Sequence, residues 1–267
     1  MPRVAVGIEY DGGAFAGWQS QPRLVTVQDE LERALSLVAA EPVSVVCAGR
    51  TDAGVHARAQ VAHFDTSATR TGRAWTLGAN SHLPRQVSLR WARTVPAHFH
   101  ARYSAESRTY CYLILNRPTR SALAAGRAAV IHRPLDVRAM NEAAQALVGE
   151  HDFSAFRAAE CQARSPVRRL SQLTVMQRAD WLVMRVTANA FLHHMVRNIA
   201  GLLIRIGEGQ APPSWARTVL ESRDRREAAP TAPAGGLYFW SVRYPEAFAL
   251  PETDSEAAWD MIPALPG

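Results

Sequence analysis

Short runs of alternating hydrophobic and polar residues recur through the first third of the chain, and a period of two is typical of strands with one buried face. Two further runs have the helical period. The first of them follows Thr26, which has an acidic residue three positions on and is predicted to cap the helix. The pattern predicts the order strand, helix, strand, strand, helix, strand, with the bounds Val4–Ile8, Val27–Val38, Val43–Cys47, Gln60–Asp65, Arg73–His82 and Val87–Ala92.

The second half of the chain shows the same order of patterns. Asp136 is predicted to cap its first helix, which Gly149 ends. Its last helical run has one broad apolar stripe, with Arg197 and Asn198 outside the stripe. The predicted bounds are a strand Arg108–Leu115, a helix Asp136–Gly149, a hairpin of Leu170–Gln177 with Trp181–Ala188, a helix Phe191–Ile206 and a strand Leu237–Tyr244.

This repeated order predicts an α/β (α+β) protein made of two ferredoxin-like lobes, each β-α-β-β-α-β. No repeat of the sequence itself accompanies the repeated pattern. We predict an N-terminal lobe over residues 1–104, a C-terminal lobe over 105–248 and a poorly ordered tail over 249–267. The segments 116–133 and 155–169 are interpreted as inserted loops.

The composition indicates the class of protein, and the charge gives a weak indication of its partners. The 267 residues are 48% hydrophobic and 20% charged, which is ordinary for a soluble globular protein. The net charge is +6, which favours a polyanionic partner. All thirty basic residues are arginine, whose planar guanidinium suits phosphates and bases, but a compositional bias of the genome also explains the absence of lysine. The three cysteines have neither disulfide-framework nor zinc-site spacing. No signal-peptide core or membrane-length apolar run is present, so we expect a cytoplasmic protein without a membrane partner.

The stretch Gly49–Ala57, Gly-Arg-Thr-Asp-Ala-Gly-Val-His-Ala, carries the densest candidate chemistry. It places Asp52 on a glycine-containing loop between two predicted strands, where a scaffold can aim a single carboxylate. The alternative is a structural turn in which the Asp52 side chain bonds its own backbone. Arg50 either keeps that carboxylate ionised by lowering its pKa, clamps a phosphate, or forms only a structural ion pair. For His56 we expect a hydrogen bond within the loop.

Other candidates lie in the second half. Tyr110 and Tyr112 share one face of their strand, so that one could stack on a base while the other belongs to the core. His193 and His194 are adjacent on a predicted helix and diverge by about 100°, so we predict no metal site. The basic cluster at residues 223–226 is typical of solvated surface. No phosphate-binding glycine loop or Ser-His-Asp spacing is found.

These motifs together resemble one known family, the tRNA pseudouridine synthase A (TruA) family. Its active-site motif is matched by Gly49–Ala57. The supporting matches run in the family's order along nearly the whole chain: Gly7-Ile8-Glu9-Tyr10-Asp11-Gly12, Gly17-Trp18-Gln19, Phe99-His100-Ala101-Arg102, Tyr110-Cys111-Tyr112, His193-His194-Met195-Val196-Arg197-Asn198 and Gly236-Leu237-Tyr238.

The resemblance implies a fold in which the two lobes share a continuous, mostly antiparallel sheet with an active-site cleft between them. It implies isomerisation of uridine to pseudouridine at positions 38, 39 and 40 of the tRNA anticodon stem-loop, by a homodimer and without metal or cofactor. Residue by residue it makes Asp52 the catalytic aspartate, Tyr110 the tyrosine near the target base, Arg197 the basic partner of the aspartate, Arg50 a substrate-handling residue and Leu237 an apolar cleft residue.

The chemistry of glycosidic-bond cleavage agrees with those residue types, since a carboxylate can stabilise or capture an oxocarbenium-like sugar. Whether Asp52 attacks the sugar or removes a sugar proton stays open. Two other hypotheses are a catalytically silent RNA-binding module and a small-molecule glycosidase. The first lacks the expected aromatic RNA-binding signature, and the second lacks an evident second carboxylate.

Overall fold

The computed structural model of the chain describes residues 1–251. The chain forms two compact units, one comprising Met1–Ser107 with the described residues from Phe239 onward, and the other Arg108–Tyr238. Ten strands and five α-helices lie in the described part, so the predicted α/β class is confirmed. Most of the tail that we predicted to be poorly ordered, from residue 252 onward, lies outside the described residues.

The first unit follows the predicted order of elements. They are β1 (Arg3–Tyr10), α1 (Val27–Ala39), β2 (Val46–Cys47), β3 (His56–Asp65), α2 (Gly72–His82) and β4 (Val87–Val95). Strand β1 pairs antiparallel with β3 and with β4, and β2 pairs antiparallel with β3. Thr26 caps α1 as predicted, because its side chain accepts a hydrogen bond from Asp29 N. Helix α2 packs on the sheet through an edge-to-face contact between Trp75 and Phe64, with ring centroids 5.2 Å apart.

Strand β2 is shorter than predicted. The sequence predicted a strand over Val43–Cys47, but only Val46–Cys47 forms one. The backbone N–H groups just before it donate instead to side chains of α1, Val43 to Ser36 Oγ at 2.9 Å and Val45 to Glu32 Oε1 at 2.9 Å. These side chains compete with the sheet for the backbone groups, and the strand begins only after them.

The second unit contains more elements than the sequence predicted. They are β5 (Ser107–Asn116), β6 (Ala129–Ile131), α3 (Val137–Gln145), β7 (Gly149–Asp152), β8 (Val167–Arg178), β9 (Trp181–Ala188), α4 (Met195–Gly207), α5 (Trp215–Ser222) and β10 (Leu237–Arg243), whose residues from Phe239 belong to the first unit. Strands β5, β9, β8 and β7 pair antiparallel in that order, and β6 lies parallel to β5. The predicted hairpin of β8 and β9 is confirmed.

The sequence predicted the start of helix α3 correctly, but not its end. Asp136 caps it as predicted, accepting from the backbone N–H groups of Arg138 and Ala139. The helix ends at Gln145, whereas Gly149, with φ of +116°, begins β7. The missed strands β6 and β7 have only three and four residues, too few for a period of two to be distinguished from a loop.

No helix in the described part of the chain is long and apolar enough to cross a bilayer. The longest, α1 and α4, have thirteen residues each, which is about 20 Å of helix against a hydrocarbon core of about 30 Å.

A buried histidine joins β3 to the segment that follows β4. His63 is almost fully buried, and its Nδ1 accepts a hydrogen bond from Ala101 N at 3.1 Å. The ring also hydrogen-bonds the backbone of Val46 in β2. Burial, assisted by the positive charge of Arg3, lowers the pKa of His63 to about 4. The ring is therefore neutral at physiological pH.

We expect this histidine to make folding stability depend on pH below neutrality. Its pKa in the folded state lies below the unfolded value of about 6.5, so between those values the unfolded chain binds a proton that the folded chain does not. Stability is fully present above pH 6.5 and falls as the pH drops toward 4, by about 2 kcal/mol between pH 7 and pH 5 from this group.

Urea unfolding at pH 7 and pH 5 measures the effect, with His63→Gln as the variant that cannot titrate. Wild type should lose about 2 kcal/mol more than the variant over this interval. Equal losses in the two proteins would show that protonation of His63 is not coupled to folding.

Candidate active site

The loop between β2 and β3 carries Asp52, as the sequence predicted. A turn is closed by the backbone, with Val55 N donating to the carbonyl oxygen of Asp52 at 3.1 Å. Gly54 has φ of +76°, in the left-handed region that a side chain disfavours. The Asp52 side chain is half-buried. A backbone-closed turn thus fixes the position from which this carboxylate projects.

The segment after β1 packs against the Asp52 loop. Trp18 N donates to Thr51 O at 3.0 Å. Gly17 has φ of +99°, and a Cβ atom there would lie 2.8 Å from Thr51 O and 3.1 Å from Ala53 N. The backbones of these two segments therefore pack against each other at a distance that admits only glycine.

Three buried polar side chains also hold the Asp52 loop in place. The hydroxyls of Tyr10 and Thr51 are 2.8 Å apart, and Gln60 Nε2 donates to Gly49 O at 2.6 Å. All three side chains are buried, and Gln60 is 0% exposed. Burial raises the pKa of Tyr10, so its hydroxyl keeps its proton at neutral pH. A satisfied buried network of this kind is costly to disturb, which keeps the loop rigid.

His56 has a structural position. It begins β3, four residues before the predicted start of that strand. Its Nδ1 accepts from Gly12 N at 3.0 Å and lies 3.1 Å from Asp11 Oδ1, and the ring is almost fully buried. The ring thus has the hydrogen-bonding role that we expected, but this partner lies in the segment after β1 and not in the loop itself.

Arg50 projects from the start of the loop and is exposed. Within residues 1–251 its guanidinium forms no ion pair or hydrogen bond. The alternative of a structural ion pair with Asp52 is therefore not supported. A solvated guanidinium two residues from a carboxylate is suited to binding a phosphate group of a substrate.

In the second unit, the two tyrosines of β5 have different surroundings. The Tyr112 ring is fully buried and its hydroxyl donates to Pro233 O at 2.8 Å, so it belongs to the core. The Tyr110 ring contacts Phe191 edge to face, with centroids 5.0 Å apart and planes at 83°. The two residues lie on one face of β5, paired with Val186 and Met184 of β9.

Arg197 and Leu237 occupy the start of α4 and the start of β10. The half-buried guanidinium of Arg197 donates through Nε to Ala232 O at 2.9 Å, and Ala232 N donates back to Arg197 O at 3.1 Å. Leu237 is buried. It follows Gly236, where a Cβ atom would lie 2.8 Å from the ring of Tyr112. The segment between α5 and β10 thus holds Arg197 in place through Ala232.

The helix α4 begins four residues later than predicted. His193 and His194 precede it, and His194 has φ of +61°, which interrupts the helical backbone. Their rings lie with centroids 4.1 Å apart and planes at 41°. The argument from helical geometry that separated them was therefore wrong. The helical pattern of hydrophobic residues extends over these two histidines, but their backbone is not helical.

Asn198 was also misassigned, because it is fully buried although it lies outside the predicted apolar stripe. Its side chain donates to Phe156 O at 2.8 Å and accepts from Thr231 Oγ1 at 2.7 Å and from Arg225 at 3.1 Å. Arg225, predicted to be solvated surface, is thus a structural residue. Both roles depend on contacts remote in sequence, for which hydrophobic periodicity gives no signal.

Each unit holds its own candidate residues in place. The first carries the Asp52 carboxylate on a backbone-closed loop between two strands of an α/β protein. The second carries the Tyr110 ring against Phe191 and the Arg197 guanidinium bonded to Ala232 O. The family model described as tRNA pseudouridine synthase matches residues 7–104 and 143–245. The chain therefore belongs to the tRNA pseudouridine synthase family, as the sequence motifs predicted.

Similar curated proteins agree. The chain is 55% identical over 253 residues to the tRNA pseudouridine synthase A of Thiobacillus denitrificans, covering 95% of this chain and 97% of that protein. It is 55% identical to the protein of the same name from Pseudomonas aeruginosa, covering 94% and 89%. Its identity to that of Coxiella burnetii is 54%, covering 94% and 96%.

Proposed function

We propose that this chain isomerises uridine to pseudouridine at positions 38, 39 and 40 of the tRNA anticodon stem-loop, with Asp52 as the nucleophile. Membership of the family, together with relatives whose names state tRNA pseudouridine synthesis, supports the reaction and the substrate. The single observation that carries the role of Asp52 is its position on a loop fixed by backbone and buried side chains.

The reaction breaks the bond between N1 of uracil and C1′ of ribose and forms a bond between C5 and C1′. The sugar passes through a cationic state. A carboxylate either captures it covalently and leaves again when C5 bonds to C1′, or removes a sugar proton and returns it to the sugar in that same later step. The uracil then turns and bonds through C5, the proton on C5 leaves to solvent, and N1 gains a proton. Atoms balance without a cosubstrate, and we propose no cofactor.

We assign the other residues supporting roles. Tyr110 presents a ring to the target base, since aromatic rings stack on unpaired bases. Arg197 pairs with the aspartate, Leu237 contributes an apolar wall and Arg50 binds a phosphate. The target uridine must leave the helical stack, at an unstacking cost of a few kcal/mol that phosphate contacts offset. We further propose a cytoplasmic homodimer.

Incubation of the purified chain with unmodified tRNA, followed by chemical mapping of pseudouridine, tests the proposal. Modification confined to positions 38, 39 and 40 is expected. Modification elsewhere in the tRNA would contradict the assigned positions. Absence of any modification, with tRNA binding retained, would favour a catalytically silent RNA-binding module.

A further inference from the structure

A tight turn follows β4 and presents an exposed aromatic ring. Within the turn, His100 N donates to Ser104 Oγ at 2.9 Å, and Ser104 N donates to His100 O at 2.9 Å. Nδ1 of His100 accepts from the backbone N–H groups of Arg102 and Tyr103, both at 3.2 Å. The conformation of this turn is therefore fixed by its own hydrogen bonds.

The turn is also anchored to the body of the first unit. Arg3 donates to Phe99 O at 2.7 Å, and His63 accepts from Ala101 N at 3.1 Å. Tyr244 donates through its hydroxyl to Ala101 O at 2.6 Å. A surface turn held by three buried or half-buried side chains is a rigid platform and not a mobile loop.

Four rings lead outward from the core through this turn. Phe99 contacts His63 at 6.0 Å between centroids, His63 contacts His100 at 4.8 Å, and His100 contacts Tyr103 at 4.3 Å with planes at 32°. Phe99 is 0% exposed and Tyr103 is 76% exposed. His100 therefore supports one side of the Tyr103 ring, while most of its surface faces solvent.

A positive charge accompanies the exposed ring. The guanidinium carbon of Arg102 lies 5.6 Å from the centroid of Tyr103. A flat ring beside a guanidinium matches a nucleotide, whose base stacks on aromatic faces and whose phosphate binds arginine. A single exposed tyrosine is ordinary on a protein surface, but this one is supported by a stacked imidazole on an anchored turn.

The turn is joined through His63 to β2, the strand before the loop that carries Asp52, because His63 accepts from Ala101 N and pairs with Val46 of β2. Burial raises the pKa of the Cys47 thiol to about 12, and the charges of both Arg50 and Arg102 act on that thiol in the opposite direction. Cys47 is the last residue of β2, directly before the Asp52 loop. The positive charges of Arg102 and Arg50 thus both act on the end of β2.

We propose that Tyr103 and Arg102 form a second contact for the RNA substrate, in which the Tyr103 ring stacks on an unpaired base and Arg102 binds a neighbouring phosphate. This surface, the Arg102–Tyr103 platform, rests on the proposed function for the identity of its ligand. It would hold a nucleotide outside the reacting position and fix the strand relative to Asp52.

Replacement of Tyr103 tests the platform, with the dissociation constant for unmodified tRNA as the readout. Tyr103→Ala should weaken binding by about 5- to 150-fold, the range that follows from the loss of one base stack. Tyr103→Phe keeps the ring and should bind like wild type. Leu77→Ala is the matched control, since it truncates another exposed apolar side chain of the same unit and should leave the affinity unchanged.

Two further measurements separate stacking from general effects. A blunt RNA duplex offers no unpaired base, so Tyr103→Ala should leave its weaker binding unchanged. Arg102→Gln should reduce the slope of log affinity against log salt by about one for tRNA. Thermal unfolding of each variant checks that the fold is intact.

Wild-type affinity for tRNA in Tyr103→Ala would overturn the platform, whether or not the protein makes pseudouridine. A change in oligomeric state without a change in affinity would overturn it as well, in favour of a contact between copies of the chain. If wild type makes no pseudouridine and Tyr103→Ala still weakens tRNA binding, the proposed function fails while the platform stands.

Discussion

Replacement of Asp52 by asparagine is expected to abolish pseudouridine formation while tRNA binding stays within about two-fold of wild type. Asparagine keeps the shape of the side chain but has no negative charge, so it can neither attack the sugar nor stabilise its positive charge. Loss of a nucleophile typically lowers kcat by at least about four orders of magnitude. Release of tritium from tRNA labelled at C5 of uridine measures the reaction, because that hydrogen leaves only when C5 bonds to C1′.

The matched control is Asp180→Asn, the same chemical change at an exposed position in the turn between β8 and β9. It should retain wild-type turnover. Tritium release by Asp52→Asn at a rate near that of wild type would exclude Asp52 as the nucleophile. Loss of tRNA binding in the same variant would point to a binding role for the carboxylate.

Gly17→Ala is the second substitution with a large expected effect, although residue 17 is far from the Asp52 loop in sequence. A Cβ atom would lie 2.8 Å from Thr51 O, and the backbone at φ of +99° disfavours any side chain. The loop must shift to relieve the contact, which moves Asp52. We expect kcat to fall by about 100-fold, as for a displacement of roughly 1 Å, while tRNA affinity changes little.

Gly209→Ala separates this displacement from backbone strain. Gly209 also has a positive φ, +72°, but a Cβ atom there would have no neighbour within 4 Å. Its variant should lose about 1 kcal/mol of stability and keep its kcat. Equal loss of kcat in the two variants would mean that the support of the Asp52 loop by Gly17 is not important for turnover.

Elements whose signals are local were predictable from the sequence. Thr26 and Asp136 each cap a helix through their own side chains, and the cap lies beside the residues it bonds. The β8–β9 hairpin likewise follows from alternation on both sides of a short turn. By contrast, β2 is cut short by Glu32 and Ser36 of α1, and this competition depends on tertiary packing.

In the candidate site, too, the sequence predicted one part and missed another. The Asp52 loop was located because glycine, threonine and aspartate between two strands form a recognisable turn. The residues that hold it, Tyr10, Gly17 and Gln60, come from other elements and were not identified as its supports. One signal was present for Gln60: an uncharged polar residue within an apolar strand needs a buried partner.

Chemical mapping of pseudouridine in one tRNA, with wild-type and Asp52→Asn proteins in excess over the tRNA, tests most directly that Asp52 performs the isomerisation. We predict complete conversion at positions 38, 39 or 40 wherever uridine occurs with wild type, and unmodified uridine at the same positions with the variant. Conversion of those uridines by both proteins would contradict the role of Asp52.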